Sequence, residues 1–346
     1  MHALKRSALF LLTTLAISSV PTFSIAKDFT ETVKAAAAAA GPGTLAVKGA
    51  DPNWFFLRRE LEHLAVGDLA AATLPVAGQQ GNEPVSVIAT YAQELKALGV
   101  ELLLVPVPPK AAIYPEKLDA EIDASTVPSM TPFLDKLKAA NVEVLDLETY
   151  FKKLRAEQPE QQLYCATDSH WSPLACQLVA DLVAQKYQTL AQPAGSLKVL
   201  PAQQLEFLGD LISEADKAAM AKEVLPMQRA GKEDSSNPAE VTTVESDPES
   251  PVLAIGDSHL QVFRKGGNML ATQGGFIDHL QVKLGQAVEE ISMQAGGADG
   301  PRRNVARATA ANPEFWAKKK VVIWVFTARE FTQGRWMVLP AQVKKK

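Results

Sequence analysis

Residues 252–259 read Val-Leu-Ala-Ile-Gly-Asp-Ser-His. Four apolar residues without polar alternation predict a strand buried on both faces, which is the pattern of a parallel sheet covered by helices. Gly256 allows a tight turn, and Ser258 then projects its hydroxyl where the chain bends. In an open α/β sheet, ligands are met at the carboxyl ends of strands, so this strand end is a candidate site. The backbone N–H at such a bend can serve as an oxyanion donor.

Outward from this strand, the chain alternates apolar strands with amphipathic stripes. Leu102–Val107, Val142–Leu147 and Val321–Phe326 read as further buried strands. Ile88, Tyr91, Ala92 and Leu95 fall at helical spacing and are closed by Gly99. Met130, Phe133, Leu134 and Leu137 make a second stripe, and Leu174, Leu178, Val179 and Leu182 a third. The third opens at Ser172-Pro173, a cap followed by proline at the first helical position. Phe29 to Ala40 reads as a lead-in helix stopped by Gly41-Pro42-Gly43, and Trp54-Phe55-Phe56 as an aromatic cluster that is either buried or covers a pocket. These features predict an α/β three-layer fold with a mostly parallel sheet. The acidic, proline-containing stretch 233–250 reads as a surface loop within a single domain spanning residues 27–346.

The 346 residues are 47% hydrophobic and 21% charged, which fits a folded domain with a full core and excludes a disordered or polytopic membrane chain. A formal charge of −4 leaves no basic footprint for nucleic acid. Residues 1–26 have the form of an export signal: His2, Lys5 and Arg6, then an apolar run from Ala8 to Val20, then Ser24-Ile25-Ala26 as a small-x-small cleavage site. An uncleaved membrane anchor is the alternative, and either places the body outside the cytoplasm. Cys165 and Cys176 are the two cysteines of the chain, and in an oxidising compartment they are either a disulfide or two buried thiols.

A second stretch, Tyr164-Cys165-Ala166-Thr167-Asp168-Ser169-His170-Trp171, places a carboxylate two residues before an imidazole. In extended backbone these side chains share a face, so Asp168 can fix the tautomer of His170 and leave its other nitrogen to deprotonate a hydroxyl. A solvated loop histidine is one alternative and a metal held by Asp168 and His170 another, though no metal-ligand cluster such as HExxH accompanies them. Neither a metal nor an organic cofactor is expected. His63 and His279 read as structural or exposed, while His259 is placed to line a pocket beside Ser258. Together Ser258, His170 and Asp168 make a Ser-His-Asp set, which is recognised by role and not by chain order.

These two stretches resemble the SGNH-hydrolase-like domain of the AlgJ/AlgX-type alginate O-acetyltransferases. Residues 54–61 (WFFLRREL), 105–118 (VPVPPKAAIYPEKL), 206–212 (EFLGDLI) and the tail from Gly274 to Glu330 are similar as well. The resemblance implies a flavodoxin-like α/β/α fold, a periplasmic location and acetyl transfer onto an exopolysaccharide such as alginate. It implies Ser258 as nucleophile, His170 as base and Asp168 as its orienter, and a membrane-bound O-acyltransferase as acetyl donor. Two departures stand out: His259 follows the serine, and the Gly-x-Asn-Asp block of ordinary SGNH esterases is absent. The second oxyanion donor is therefore sought among Gly274, Gly275, Gly296 and Gly297. Lys110, Arg303 and Arg329 are candidates to meet an anionic sugar, and Trp54, Trp171 and Trp336 to stack on one. No β-rich carbohydrate-binding tail follows the core, which favours the single-domain AlgJ-like form. Two other functions share these features: a polysaccharide acetylesterase, and a non-catalytic polysaccharide-binding assembly protein.

Overall fold

The computed structural model describes residues 26–343, so the expected export signal lies almost wholly outside the described residues. Five parallel strands form the central sheet: β1 (Glu101–Val107), β2 (Glu143–Val144), β3 (Val252–Gly256), β4 (Glu289–Ser292) and β5 (Val321–Thr327). Their spatial order is β4-β3-β5-β1-β2, with Ala254 opposite Ile323 and Ile323 opposite Leu103.

Successive side chains of a strand point to opposite faces, and the core divides accordingly. Leu103, Val105, Ala254, Ile323 and Val325 enter one hydrophobic cluster; Leu102, Leu104, Leu253, Ile255, Val322 and Trp324 enter the other. The first cluster is completed by helices α1 (Phe29–Ala40), α2 (Arg58–Leu64), α5 (Leu147–Glu157), α6 (Pro173–Lys186) and α7 (Phe276–Leu284). The second is completed by α3 (Pro84–Ala97), α4 (Thr131–Ala139) and α8 (Asp299–Ala311). Each fully buried aliphatic side chain in these clusters contributes about 1.5–3 kcal/mol of transfer free energy. The sequence-predicted α/β fold with helices on both faces is therefore the one observed.

Three differences have local causes. The strand expected over 142–147 pairs only at Glu143 and Val144, because the Asp146 carboxylate accepts the Thr149 N–H (3.0 Å) and starts α5 at Leu147. The segment 233–250 is not wholly loop: Ala230–Glu233 pairs with Val241–Thr242 and with Leu197–Val199 in a small antiparallel sheet. A second antiparallel pair, Gln203–Phe207 with Glu223–Met227, packs Phe207, Leu225 and Met227 onto the first core cluster. The cysteines are two buried free thiols, not a disulfide: Cys165 donates to the Trp171 carbonyl, and burial pushes both thiols well above their usual range. No helix among the described residues is long and apolar enough to cross a membrane.

Candidate active site

The turns after β3, β4 and β5 line one cleft at the carboxyl edge of the sheet, and the Asp168–His170 loop reaches Ser258 there. At the end of β3, Gly256 is needed for close approach and not for backbone twist. A Cβ there would lie 2.3 Å from the Val325 carbonyl and 2.9 Å from a Leu260 methyl. Asp257 then caps a single 3-10 turn, Ser258–Leu260, by accepting the His259 N–H (2.9 Å). Ser258 is half-buried at the start of that turn. Among the described residues its backbone N–H has no acceptor.

Asp168 and His170 come from a tight loop closed by the Tyr164–Trp171 bridge and by the Cys165 N–H to His170 carbonyl bond (3.2 Å). Ser172 then caps α6, its side chain accepting the Ala175 N–H (3.2 Å). The loop is tied down on several sides. The Glu223 carboxylate accepts the N–H groups of Ala166 (2.7 Å) and Thr167 (2.9 Å) and the Thr167 hydroxyl (2.8 Å). The Lys110 ammonium donates to the carbonyls of Asp168 (2.6 Å) and Phe55 (2.7 Å), with Ala166 at 3.4 Å. The Asp210 N–H donates to Asp168 Oδ2 (2.9 Å).

This frame brings the three expected residues together. His170 Nε2 lies 2.7 Å from Ser258 Oγ, and His170 Nδ1 lies 2.6 Å from Asp168 Oδ1, which also accepts the His170 N–H (3.0 Å). Asp168 and His170 are almost fully buried, at 1% and 4% exposure. Burial alone would raise the Asp168 carboxyl. The His170 charge, the bond to it and the backbone N–H groups prevail and hold it at about 2. For His170, burial disfavours the charged form, yet the Asp168 charge and hydrogen bond outweigh it and raise the imidazole above its ordinary range. Asp168, His170 and Asp210 place ligand-type atoms within 4.8 Å of one another. Both nitrogens of His170 are already engaged by Asp168 and Ser258, so the geometry suits a proton relay better than a cation site. A hydroxyl, an imidazole and a buried carboxylate in series are what acyl transfer through a serine requires.

Several sequence expectations are corrected. Lys110 does not face solvent or sugar: it is fully buried, and burial lowers its ammonium below the ordinary lysine range. Trp171, Trp336 and Trp54 are core residues at 0%, 1% and 7% exposure, with no face free for stacking on a ligand. His259 does not line the cleft. Its Nδ1 is bound to Asp257 (2.9 Å) and its ring packs edge-on against His170, with centroids 4.9 Å apart. Asp257 is also held by the Thr327 N–H (3.0 Å). Against the opposing effect of burial, the His259 charge and these bonds keep it far below the usual carboxylate range. His63 and His279 are buried and structural, and desolvation lowers them to about 3 and about 4.

Beside Ser258 opens a cleft of roughly 330 Å³. Arg303 and Arg329 line it as expected, joined by Arg59 and Arg335, which the sequence pattern did not single out. Arg329 is oriented by Glu60 (3.4 Å) and Thr327 (3.2 Å), whereas Arg59, Arg303 and Arg335 are exposed and have no ion-pair partner among the described residues. Of the four glycines considered as oxyanion donors, Gly274 and Gly275 have their N–H groups bound to Phe263 O and Asp278 Oδ2, and Gly296 binds Met293 O. Gly297 lines the cleft with its N–H unengaged among the described residues. Its positive φ of 54° favours glycine there, and a Cβ would stand 2.4 Å from the Glu330 carboxylate, which would have to move aside.

Comparison with known proteins agrees with this architecture. A model of the SGNH hydrolase-like domain of the acetyltransferase AlgX matches residues 47–328. A probable alginate O-acetylase AlgJ from Pseudomonas aeruginosa is 31% identical over 153 residues, 43% of this chain and 38% of that protein. The alignment thus spans well under half of that relative's length. Among solved structures, the O-acetyltransferase domain of Pseudomonas putida AlgJ superposes with a TM-score of 0.59 at 20% identity, covering 83% of this chain and 92% of that one. Pseudomonas aeruginosa AlgX gives 0.53 at 20% identity, covering 82% and 62%. At that identity the superpositions speak for the fold.

Proposed function

The chain belongs to the family of SGNH hydrolase-like acetyltransferases that includes AlgX, and from that premise we propose that it moves acetyl groups through Ser258 onto hydroxyls of an anionic exopolysaccharide such as alginate. The observation that carries this reading is the unbroken Ser258–His170–Asp168 chain, with contacts of 2.7 and 2.6 Å. His170 Nε2 takes the Ser258 proton as Oγ attacks the carbonyl carbon of an acetyl ester. The tetrahedral oxyanion collapses, the acetyl group stays on Oγ, and the proton passes from His170 to the departing alkoxide. A sugar hydroxyl then gives its proton to His170 and attacks the acyl-enzyme, returning Ser258. The free N–H groups of Ser258 and Gly297 are the proposed oxyanion donors, each worth about 3 kcal/mol in the transition state.

The arginine-lined cleft supports an anionic acceptor, since a polymer of acidic sugars carries a carboxylate on each residue and guanidinium binds carboxylate in a bidentate geometry. The leader at residues 1–26 supports a periplasmic site of action. A membrane-bound O-acyltransferase is the proposed source of the acetyl group, with neither metal nor organic cofactor taking part.

The test is release from a chromogenic acetyl ester by the mature protein, beside Ser258→Ala. The expected result is release that falls by at least about 10⁴-fold in the variant, with an acetyl adduct on Ser258 by intact mass. Adding acidic oligosaccharides then diverts acetyl from water to sugar if the protein is a transferase, and leaves hydrolysis unchanged if it is an esterase. Wild-type protein that neither releases nor retains acetyl would refute catalysis and favour the binding-protein reading.

A further inference from the structure

Asp210 belongs to the loop that follows the strand Gln203–Phe207, and this loop lies directly against the Asp168–His170 segment. Gly209 permits the approach: a Cβ there would stand 2.4 Å from both Cα and Cβ of Asp168. The two segments are cross-bonded. Gly209 N–H donates to Thr167 Oγ1 (3.1 Å), Leu211 N–H to Thr167 O (3.2 Å), and Asp210 N–H to Asp168 Oδ2 (2.9 Å). In return the Asp210 carboxylate accepts the Ser169 N–H (2.7 Å) and the Ser169 hydroxyl (2.7 Å), and that hydroxyl lies 3.5 Å from His170 Nδ1.

We propose that Asp210 is a positioning residue of the Ser258 site, its backbone holding the second oxygen of Asp168 while its carboxylate clamps Ser169 and acts by its charge on the His170 imidazole. The proposal rests on the acyl-transfer reading of Ser258. With Oδ1 given to His170 and Oδ2 to the Asp210 N–H, both oxygens of Asp168 are oriented, so the carboxylate has a single rotamer to offer. The Ser169 clamp keeps the one residue between acid and base from turning.

The charge and the backbone bond can be separated. The charged groups facing His170 are Asp168, Asp210 and Asp257, and the imidazole of His259 packs beside it. Asp210→Asn keeps the backbone N–H on Asp168 and an acceptor for Ser169 but removes one negative charge beside His170. With less negative charge nearby, the imidazolium is less favoured. His170 must be neutral to act as base, so the acid limb of the activity profile moves to lower pH.

The experiment measures kcat/KM for acetyl-ester release from pH 5 to 9, and the His170 ring titration by NMR, in wild type, Asp210→Asn, Asp210→Glu and Ser169→Ala. The expected result is a shift of about half a pH unit or more to lower pH in both readouts for Asp210→Asn. Asp210→Glu, which restores the charge, returns the limb toward wild type. Ser169→Ala, which loses a clamp bond but no charge, leaves the limb in place. Activity lost with the limb and titration unmoved in Asp210→Asn would overturn the proposal and leave Asp210 a merely structural residue. If Asp210→Asn does not fold, Asp210→Ser supplies the neutral variant. The NMR titration needs no turnover, so wild-type protein inactive on every ester would count against the acyl-transfer reading while the ring titration still judges Asp210.

Discussion

Replacing Lys110 with methionine separates a structural cation from a ligand-binding one. In the fold the ammonium makes two short bonds, to the Asp168 and Phe55 carbonyls at 2.6 and 2.7 Å, and it sits 5.8 and 5.7 Å from the ring centroids of Trp54 and Phe56. Hydrogen bonds to a charged group contribute about 1.5–3 kcal/mol each, so losing two removes roughly 3–6 kcal/mol. Methionine has nearly the same length and no charge, and it recovers part of the desolvation cost that lowers the lysine in the folded state. The net expectation is a loss of about 2–4 kcal/mol, within the range for breaking a buried polar network. At an m-value of about 3 kcal/mol/M in urea, the unfolding midpoint falls by roughly 1 M. Arginine does not rescue, because a planar five-donor fork does not fit a fully enclosed site built for a point charge. Ester release falls as well, since the freed Asp168 carbonyl lets the Asp168–His170 loop drift from Ser258. Urea unfolding and acetyl-ester turnover on the same preparation check both effects. An unchanged midpoint with wild-type turnover would refute the account of Lys110 as the loop's anchor. A selective rise in KM for acidic sugars would restore the surface role suggested by its residue type.

Exchanging Arg59 and Arg303 together for alanine should raise KM for an acidic oligosaccharide about 5- to 30-fold, taking roughly 1–2 kcal/mol for two exposed contacts. Hydrolysis of a small neutral ester should be unaffected, and added salt should shrink the difference in acceptor KM. Gly209→Ala should cut kcat for ester release sharply with little change in KM, because the new methyl displaces the peptide that holds Asp168 Oδ2; steady-state kinetics would show it. The Asp168–His170 pair should stabilise the fold most between pH 3.8 and 6.5, the ordinary values of the two groups. The depressed carboxyl loses its contribution as pH falls through about 2, and the raised imidazole loses its own as pH rises through its folded value. A urea-midpoint gap between wild type and Asp168→Asn that does not narrow below pH 3.8 and again above pH 6.5 would contradict the assignment.

Local pattern sufficed wherever local physics decides. Unbroken apolar runs such as Val252–Ile255 and Val321–Phe326 announced strands buried on both faces, and Ser172-Pro173 announced the start of α6. The Asp-x-His spacing and the serine at a strand end were legible because each is set by a few consecutive residues. What the pattern could not supply was anything fixed by long-range approach. The contact between His170 and Ser258 spans 88 positions, and that between Asp210 and Asp168 spans 42. Lys110 has the composition of a surface residue, and only the carbonyls gathered around it from Phe55 and Asp168 make it a buried anchor. Trp171 and Trp336 have the residue type of a sugar platform but more often a core one, and tertiary packing places them in the core. Arg59 and Arg335 lie 276 positions apart in a cleft formed by unrelated turns, a juxtaposition that no residue encodes alone. The sequence by itself determined the strand and helix periodicity and the chemistry of the reacting side chains, because these depend on neighbours along the chain. The tertiary structure alone decided which polar groups are buried, which charges face the cleft and which backbone donors remain free, because burial and approach are properties of the whole packing.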